Sequence, residues 1–337
     1  MSVKIIAEIG VNHNADIDLA YHMISEAAKS GADIIKFQTA IPELVQTKDA
    51  KMADYQIKNT GTEISQLNMA KKIHFPIEKF SLLKDKVESY NKVFMSTAFD
   101  LKSLDFLHSL GESQYKIPSG ELTNLPYLRA VGLIARDVIV STGMATWQEV
   151  KDAIQVFLDC GISRHNIVVL QCNTEYPTPF KDVNLNSMVW MGEQLSVKYG
   201  YSDHTIGIEA AIAAVALGAV VIEKHFTTDK NLPGPDQKVS LEPAEFASMV
   251  NGIRNIEEAL GKYKKSPTES ELKNKIIARR GLYASKNLNC GAIIGINDLV
   301  ALRPEQKFSP MNIDELIGKK LKRSLLESQP ILLDDVE

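Results

Sequence analysis

From the N-terminus to about Leu260, short apolar runs alternate with longer stretches of helical periodicity. The runs at Val3–Ile9, Asp33–Thr39, Lys92–Thr97, Gln114–Ile117, Asp137–Ser141, Asn166–Cys172, Lys198–Ser202 and Ala219–His225 read as eight strands. Most are rich in Val and Ile, and several are continuously apolar, as in strands covered on both faces of a parallel sheet. Helices are predicted between them at Ile17–Lys29, Ile77–Tyr90, Leu101–Leu110, Trp147–Leu158 and Ile208–Leu217. A last helix begins near Pro243, where Phe246, Met249, Val250, Ile253, Ile256 and Leu260 fall on one stripe. Eight strand–helix units predict an α/β fold, a (β/α)8 TIM barrel. An open doubly wound sheet is the alternative, but no Gly-x-Gly-x-x-Gly follows the first strand.

The pattern changes along the chain. Ala40–Lys72 is long and polar for a connection between a strand and a helix, and such loops often carry function. Around Lys262–Lys275 the residues turn to Lys, Ser, Glu and Asn, with Pro267. We read 1–262 as the barrel, 263–278 as a linker and 279–337 as a small β-rich domain. That last segment has short apolar runs, such as Gly281–Ala284 and Leu299–Leu302, and a short helix near Asn312–Leu316. A core that small is marginal alone.

Barrel enzymes work at the C-terminal ends of their strands. Here those ends carry reactive residue types: Glu8, Lys36 and Gln38, Thr97, Lys116 followed by Ser119 and Glu121, Ser141, Asn173 and Tyr176, Ser202 and His204, Glu223 and His225. A buried lysine or glutamate is costly without a partner. One such residue reads as a structural ion pair; their recurrence around the ring reads as a site. His204 and His225 end neighbouring strands, and two imidazoles with open positions suit a divalent transition metal. Lys36, Lys116, Thr97, Ser119 and Ser141 offer cations and hydroxyls to a phosphate or carboxylate. Buried Lys–Glu bridges, or a Schiff-base lysine, are the other readings of those lysines.

Bulk properties narrow the setting. The 337 residues are 45% hydrophobic and 24% charged, with a net charge of -4. No basic run suggests a nucleic-acid surface. Cys160, Cys172 and Cys290 are odd in number and match no zinc spacing, as in a reduced protein. With no signal peptide and no run of about 20 apolar residues, the expected setting is the cytoplasm, away from the membrane.

The motifs Glu8-Ile-Gly-Val-Asn-His13, Ile35-Lys-Phe-Gln38, Tyr115-Lys-Ile-Pro-Ser-Gly-Glu121, Ser141-Thr-Gly-Met144, Tyr176-Pro-Thr-Pro179, Ser202-Asp-His204, Glu223-Lys-His-Phe-Thr227, Pro233-Gly-Pro-Asp236 and Leu302-Arg-Pro304 span almost the whole chain. In these the chain resembles the sialic acid synthases, which make N-acetylneuraminate, legionaminate and pseudaminate. The C-terminal segment resembles their antifreeze-like (SAF) domain. The resemblance implies condensation of phosphoenolpyruvate with an acetamido sugar and water, giving a nine-carbon keto acid and phosphate. The sugar would be N-acetylmannosamine, or 2,4-diacetamido-2,4,6-trideoxymannose on the way to legionaminate.

It also implies roles. His204 and His225 would hold the metal, usually Mn2+. Lys36, Thr97, Lys116 and Ser141 would bind the phosphate, and Ser119 and Ser202 the carboxylate. Gln38, Tyr176 and Asp236 would contact the sugar, with Asn173 nearby. Arg303 would reach into a partner subunit's barrel, making a domain-swapped homodimer. Glu121, or a metal-bound water, is the candidate base for the attacking water, and Glu8 the group that orients the aldehyde or its proton, or else supports the metal's own ligands.

Overall fold

The computed structural model describes residues 2–337; Met1, the first residue of the predicted barrel domain, lies outside them. The described chain divides after Gly261 into a first unit and a second unit, Lys262–Glu337.

Eight parallel strands build the first unit: β1 (Lys4–Gly10), β2 (Ile34–Thr39), β3 (Val93–Ala98), β4 (Gln114–Ile117), β5 (Asp137–Ser141), β6 (Ile167–Cys172), β7 (Lys198–Asp203) and β8 (Val221–His225). Their order in the sheet is β3-β2-β1-β8-β7-β6-β5-β4. The ring is thus a nearly closed TIM-like barrel, and the predicted fold class holds. Hydrogen-bonded ladders join every neighbouring pair except β3 and β4. At that seam the Glu112 carboxylate accepts from Ser96 N at 3.1 Å.

The helices in chain order are α1 (Ile17–Lys29), α2 (Pro42–Val45), α3 (Asp54–Thr60), α4 (Gln66–Ile73), α5 (Phe80–Glu88), α6 (Leu101–Ser109), α7 (Leu125–Ile134), α8 (Trp147–Asp159), α9 (Leu185–Leu195), α10 (Glu209–Ala216), α11 (Pro243–Leu260) and α12 (Glu269–Ala278). Local chemistry starts several of them. Asp16 accepts from Asp18 N and Leu19 N at the head of α1, and Thr146 with Glu149 forms a capping box on α8. Helices α7 and α9 were not expected: α7 is apolar on most of its circumference and shows no stripe. The segment predicted as one helix over 77–90 opens with a tight turn at Ile77–Lys79 before α5.

Ala40–Lys72 is not an open polar loop. It contains α2 and α3 and most of α4, and it buries Leu67, Met69 and Ala70. These helices are too short to display a period in the sequence. An ion pair of 2.7 Å between Lys71 and Glu43 ties α4 to α2. Asn59 Nδ2 donates to the Pro235 carbonyl at 2.7 Å, which ties α3 to the loop after β8.

Side-chain alternation divides the barrel interior into a floor and a mouth. Ile6, Ile34, Met95, Ile139, Leu170 and Val221 form one apolar cluster inside the ring. Two residues further along the same strands come Glu8, Lys36, Thr97, Ser141, Cys172 and Glu223, which line the cavity at the mouth. The opposite parity faces the helices and supplies the large core, including Ile5, Ile35, Val140, Val169 and Ile222.

In the second unit, β9 (Gly281–Ala284) and β10 (Leu299–Leu302) pair antiparallel. Leu282, Leu288, Ile294, Phe308, Leu316, Leu321 and Ile331 are among the residues of its own core. The stretch read as a linker contains α12, started by the Thr268–Glu271 capping box, and α12 buries none of its residues. The short helix expected near Asn312–Leu316 is a tight helical turn at Pro310–Glu315. Among the described residues no helix is long and apolar enough to cross a membrane.

Candidate active site at the barrel mouth

A cavity of about 740 Å3 opens at the C-terminal ends of the strands. Its lining includes Glu8, Lys36, Gln38, Thr97, Lys116, Ser119, Ser141, Tyr176, Ser202, His204, His225 and Asp236. The parity that places Ile6 and Ile34 on the floor places Glu8 and Lys36 above them. A register shift in β1 between Glu8 and Gly10 marks the top of that strand. Gly10 has φ +55°, and a Cβ there would lie 3.1 Å from both Gln38 Nε2 and Glu8 Oε1. The tight bend thus needs glycine, and it packs directly on the Gln38–Glu8 hydrogen bond of 2.8 Å.

Lys36, Lys116 and two carboxylates form a buried network. Lys36 Nζ lies 2.7 Å from Glu8 Oε2 and 3.5 Å from Glu223 Oε2. Lys116 Nζ lies 3.4 Å from Glu223 Oε1, which also accepts from Ser202 Oγ at 3.0 Å. Thr97 Oγ1 accepts from Lys36 at 3.3 Å. Burial opposes ionisation of Glu223, but Lys116 and Lys36 outweigh it and hold the carboxyl at about 2. Burial pushes Glu8 up to about 7 against the pull of Lys36. Two ammonium groups therefore face one firmly ionised carboxylate and one carboxyl near its midpoint at neutral pH. The excess is positive, which favours an oxyanion. Ser141 Oγ is buried and has no partner, so it is a free donor at the same level.

Ser119 Oγ accepts from Gly143 N at 3.0 Å, joining the loops after β4 and β5. A Cβ on Gly143 would fall 2.8 Å from Ser119 Oγ and 2.8 Å from Thr174 Cγ2, so only glycine allows this approach. Asp236 is buried, and burial raises its carboxyl to about 6.

His204 and His225 meet with ring centroids 5.5 Å apart and planes tilted by 55°. His204 Nδ1 contacts the Asn173 carbonyl, and its Nε2 lies 3.1 Å from the Tyr176 hydroxyl. A carbonyl partner on Nδ1 fixes the proton there and leaves Nε2 as a lone pair. His225 Nδ1 is buried without a partner. Burial, with His204 beside it, holds His225 well below the usual imidazole range, so the ring is neutral. Burial lowers His204, but Cys172 beside it outweighs that and raises its imidazole, whereas His225 is neutral with an orphaned ring nitrogen; the pair would fit a divalent cation once His204 gives up its proton. Among the described residues no three His, Cys, Asp or Glu side chains gather as a metal cluster. The protein could thus offer two ligands and leave the remaining positions to substrate and water.

Two candidates in the first unit do not line the cavity. Glu121 sits in a tight turn after β4, outside the lining, with its carboxylate accepting from Asn124 Nδ2 at 2.6 Å. The Asn173 side chain closes a local turn by accepting from Glu175 N, and the residue acts on the site through its carbonyl. Arg303 belongs to the second unit. Conversely, Glu223 holds Ser202 and both lysines, although it reads in the sequence only as one more polar strand end. Cys172 Sγ lies 3.8 Å from both Ser119 Oγ and His204 Nδ1. Tyr55 of α3 stacks on Tyr176 at 5.0 Å, and Tyr176 stacks on His204 at 4.1 Å. No motif pointed to Tyr55.

Comparison with known families matches residues 23–265 to the NeuB family and residues 279–337 to the SAF domain. The chain belongs to the NeuB family. This NeuB-family chain is 44% identical to the N,N'-diacetyllegionaminic acid synthase of Campylobacter jejuni, over 97% of its own length and 98% of that protein's. It is 34% identical to the pseudaminic acid synthase of Helicobacter pylori, over 99% of its length and 98% of the relative's. The solved N-acetylneuraminic acid synthetase of Leptospira borgpetersenii, in complex with citrate, superposes with a TM-score of 0.71 at 34% identity. That match covers 81% of this chain and 90% of the other.

Proposed function

We propose that the protein is a nonulosonate synthase that joins phosphoenolpyruvate, an acetamido-sugar aldehyde and water, releasing phosphate. The acceptor is N-acetylmannosamine or 2,4-diacetamido-2,4,6-trideoxymannose. The observation that carries this reading is the convergence of Lys36, Lys116 and the unpaired Ser141 hydroxyl with two imidazoles in one cavity. Relatives of full length with synthase names support the reaction class.

The enol phosphate is gripped by Lys36, Thr97, Lys116 and Ser141, and its carboxylate by Ser119 and Ser202. Gln38, Tyr176 and Asp236 contact the sugar. Held this way, C3 of the enol faces the aldehyde carbon; such positioning is worth about 7–11 kcal/mol in good cases. A divalent cation on His204 and His225, Mn2+ by preference, supplies Lewis-acid polarisation of the aldehyde. Glu8 is the proton carrier. Its carboxyl gives a proton to the aldehyde oxygen as the new carbon–carbon bond forms. As a carboxylate it then takes one from the water that adds at C2, and phosphate leaves with its bridging oxygen. A value near neutrality suits both halves of that exchange.

The working unit is a homodimer in which Arg303 of one copy reaches the cavity of the other. The apolar rim supports this: Met144, Phe180 and Ile206, in the loops after β5, β6 and β7, are 72%, 58% and 65% exposed.

The test measures phosphate release from phosphoenolpyruvate with either sugar, before and after EDTA and with Mn2+ restored. Sugar-dependent release that EDTA stops and Mn2+ restores is the expected result. Borohydride trapping of Lys36 or Lys116, with activity untouched by EDTA, would instead mark a Schiff-base aldolase.

A further inference from the structure

The two imidazoles sit on adjacent strand ends, and no hydrogen bond on the cavity side joins them. Behind them, on the side turned toward the helices, Lys224 Nζ donates to Asp203 Oδ2 at 2.8 Å and to the Thr205 carbonyl at 2.6 Å. Both side chains of this ion pair are 0% exposed. Asp203 Oδ1 also accepts from Thr205 N at 2.9 Å. Asp203 and Lys224 are direct cross-strand partners in the β7–β8 ladder. Because side chains alternate, Asp203 lies between and behind Ser202 and His204, at and just beyond the end of β7, and Lys224 between Glu223 and His225 on β8.

A buried ion pair is a poor source of stability. Apolar replacements of similar volume are often neutral or even more stable. Its distinctive contribution is direction. One hydrogen bond joins Lys224, just before His225, to the backbone of Thr205, just after His204, and two more tie both to Asp203. An apolar pair fills the same space without that constraint. We infer that Asp203 and Lys224 are positioning residues for the His204–His225 pair, setting the spacing and tilt with which both rings meet a divalent cation. The inference rests on the reading of those histidines as cation ligands.

The test is Mn2+ affinity, read from the electron paramagnetic resonance signal of the free ion, alongside thermal midpoints. It uses the full chain in four forms: wild type, Lys224→Met, the double variant Asp203→Asn/Lys224→Met, and Ile222→Val. The double variant removes both charges and keeps an acceptor for Thr205 N. It remains informative if the lone Asp203 charge prevents the single variant from folding. Groups bonded directly to metal-binding histidines typically contribute about 10–100-fold in affinity, and a pair that acts through the backbone falls at the lower end, about 10-fold. A loss of that size is expected in the double variant while it stays folded. Ile222→Val deletes one buried methyl from the same strand and should lower the midpoint without changing Mn2+ affinity. Wild-type affinity in the double variant would overturn the inference, as would an equal loss in Ile222→Val. A wild-type protein that binds no Mn2+ removes the cation reading itself, and the positioning role with it.

Discussion

Glu223→Gln exchanges one oxygen for an amide group and removes the only firmly ionised carboxylate between two buried ammonium groups. Lys116 lies 3.4 Å away and Lys36 3.5 Å. At an effective dielectric constant of about 20, each contact is worth on the order of 5 kcal/mol before solvation is counted. The two contributions do not simply add, because the protein has an escape. Burial already weakens the proton affinity of Lys116, so that lysine can shed its charge once its partner is gone. The net cost should then resemble other broken buried pairs, about 3–5 kcal/mol. At roughly 2–4 °C per kcal/mol for a unit of this size, a loss of 3 kcal/mol lowers the thermal midpoint by about 6–12 °C. Calorimetry at pH 7 measures it. Inorganic phosphate provides a second arm. An oxyanion restores the missing negative charge, so phosphate should stabilise the variant more than the wild type. A bound ligand at a hundred times its Kd contributes about 2.7 kcal/mol. A midpoint unchanged by the substitution, or phosphate raising both proteins equally, would refute the charge-balance argument.

His225→Ala should abolish Mn2+ binding and metal-dependent turnover while leaving the circular dichroism spectrum intact; full activity would remove the metal assignment. Arg303→Ala should mainly raise the KM for the sugar, and a rise confined to phosphoenolpyruvate would place that side chain elsewhere. Glu112 titrates with a definite sign. Burial raises its carboxyl well above the usual 4.5, so the folded chain keeps a proton that the unfolded chain releases. Its favourable contribution is complete below that unfolded value and is lost as pH climbs through the folded one. Glu112→Gln keeps an acceptor for Ser96 N and should raise the midpoint at pH 8 relative to wild type, with little effect at pH 4; the reverse order would contradict the burial argument.

The barrel was legible because short, mostly apolar runs alternate with stretches of helical period, and the observed strands differ from those expected by no more than a residue or two at their ends. The polar mouth was legible from alternation: Lys36, Ser141 and His225 continue the parity that begins with apolar floor residues. What the sequence hid depends on contacts across the ring. Glu223 gains its importance from ammonium groups on β2 and β4, far from it in the chain. The contact of Glu121 with Asn124 depends on the tight turn at Ser119–Glu121, which no periodicity in the sequence announces. Tyr55 sits on a helix of seven residues, too short to announce itself.

The missing ladder between β3 and β4 gives the barrel a built-in zip. Elsewhere the ring is laced by main-chain bonds, but here a single carboxylate, Glu112, satisfies Ser96 N. Thr97 and Lys116 stand on opposite lips of that gap. An oxyanion grasped by both would stitch the lips together, so occupancy of the mouth and closure of the wall become one event. Deuterium uptake along Val93–Ala98 and Gln114–Ile117 would slow together when phosphate is added.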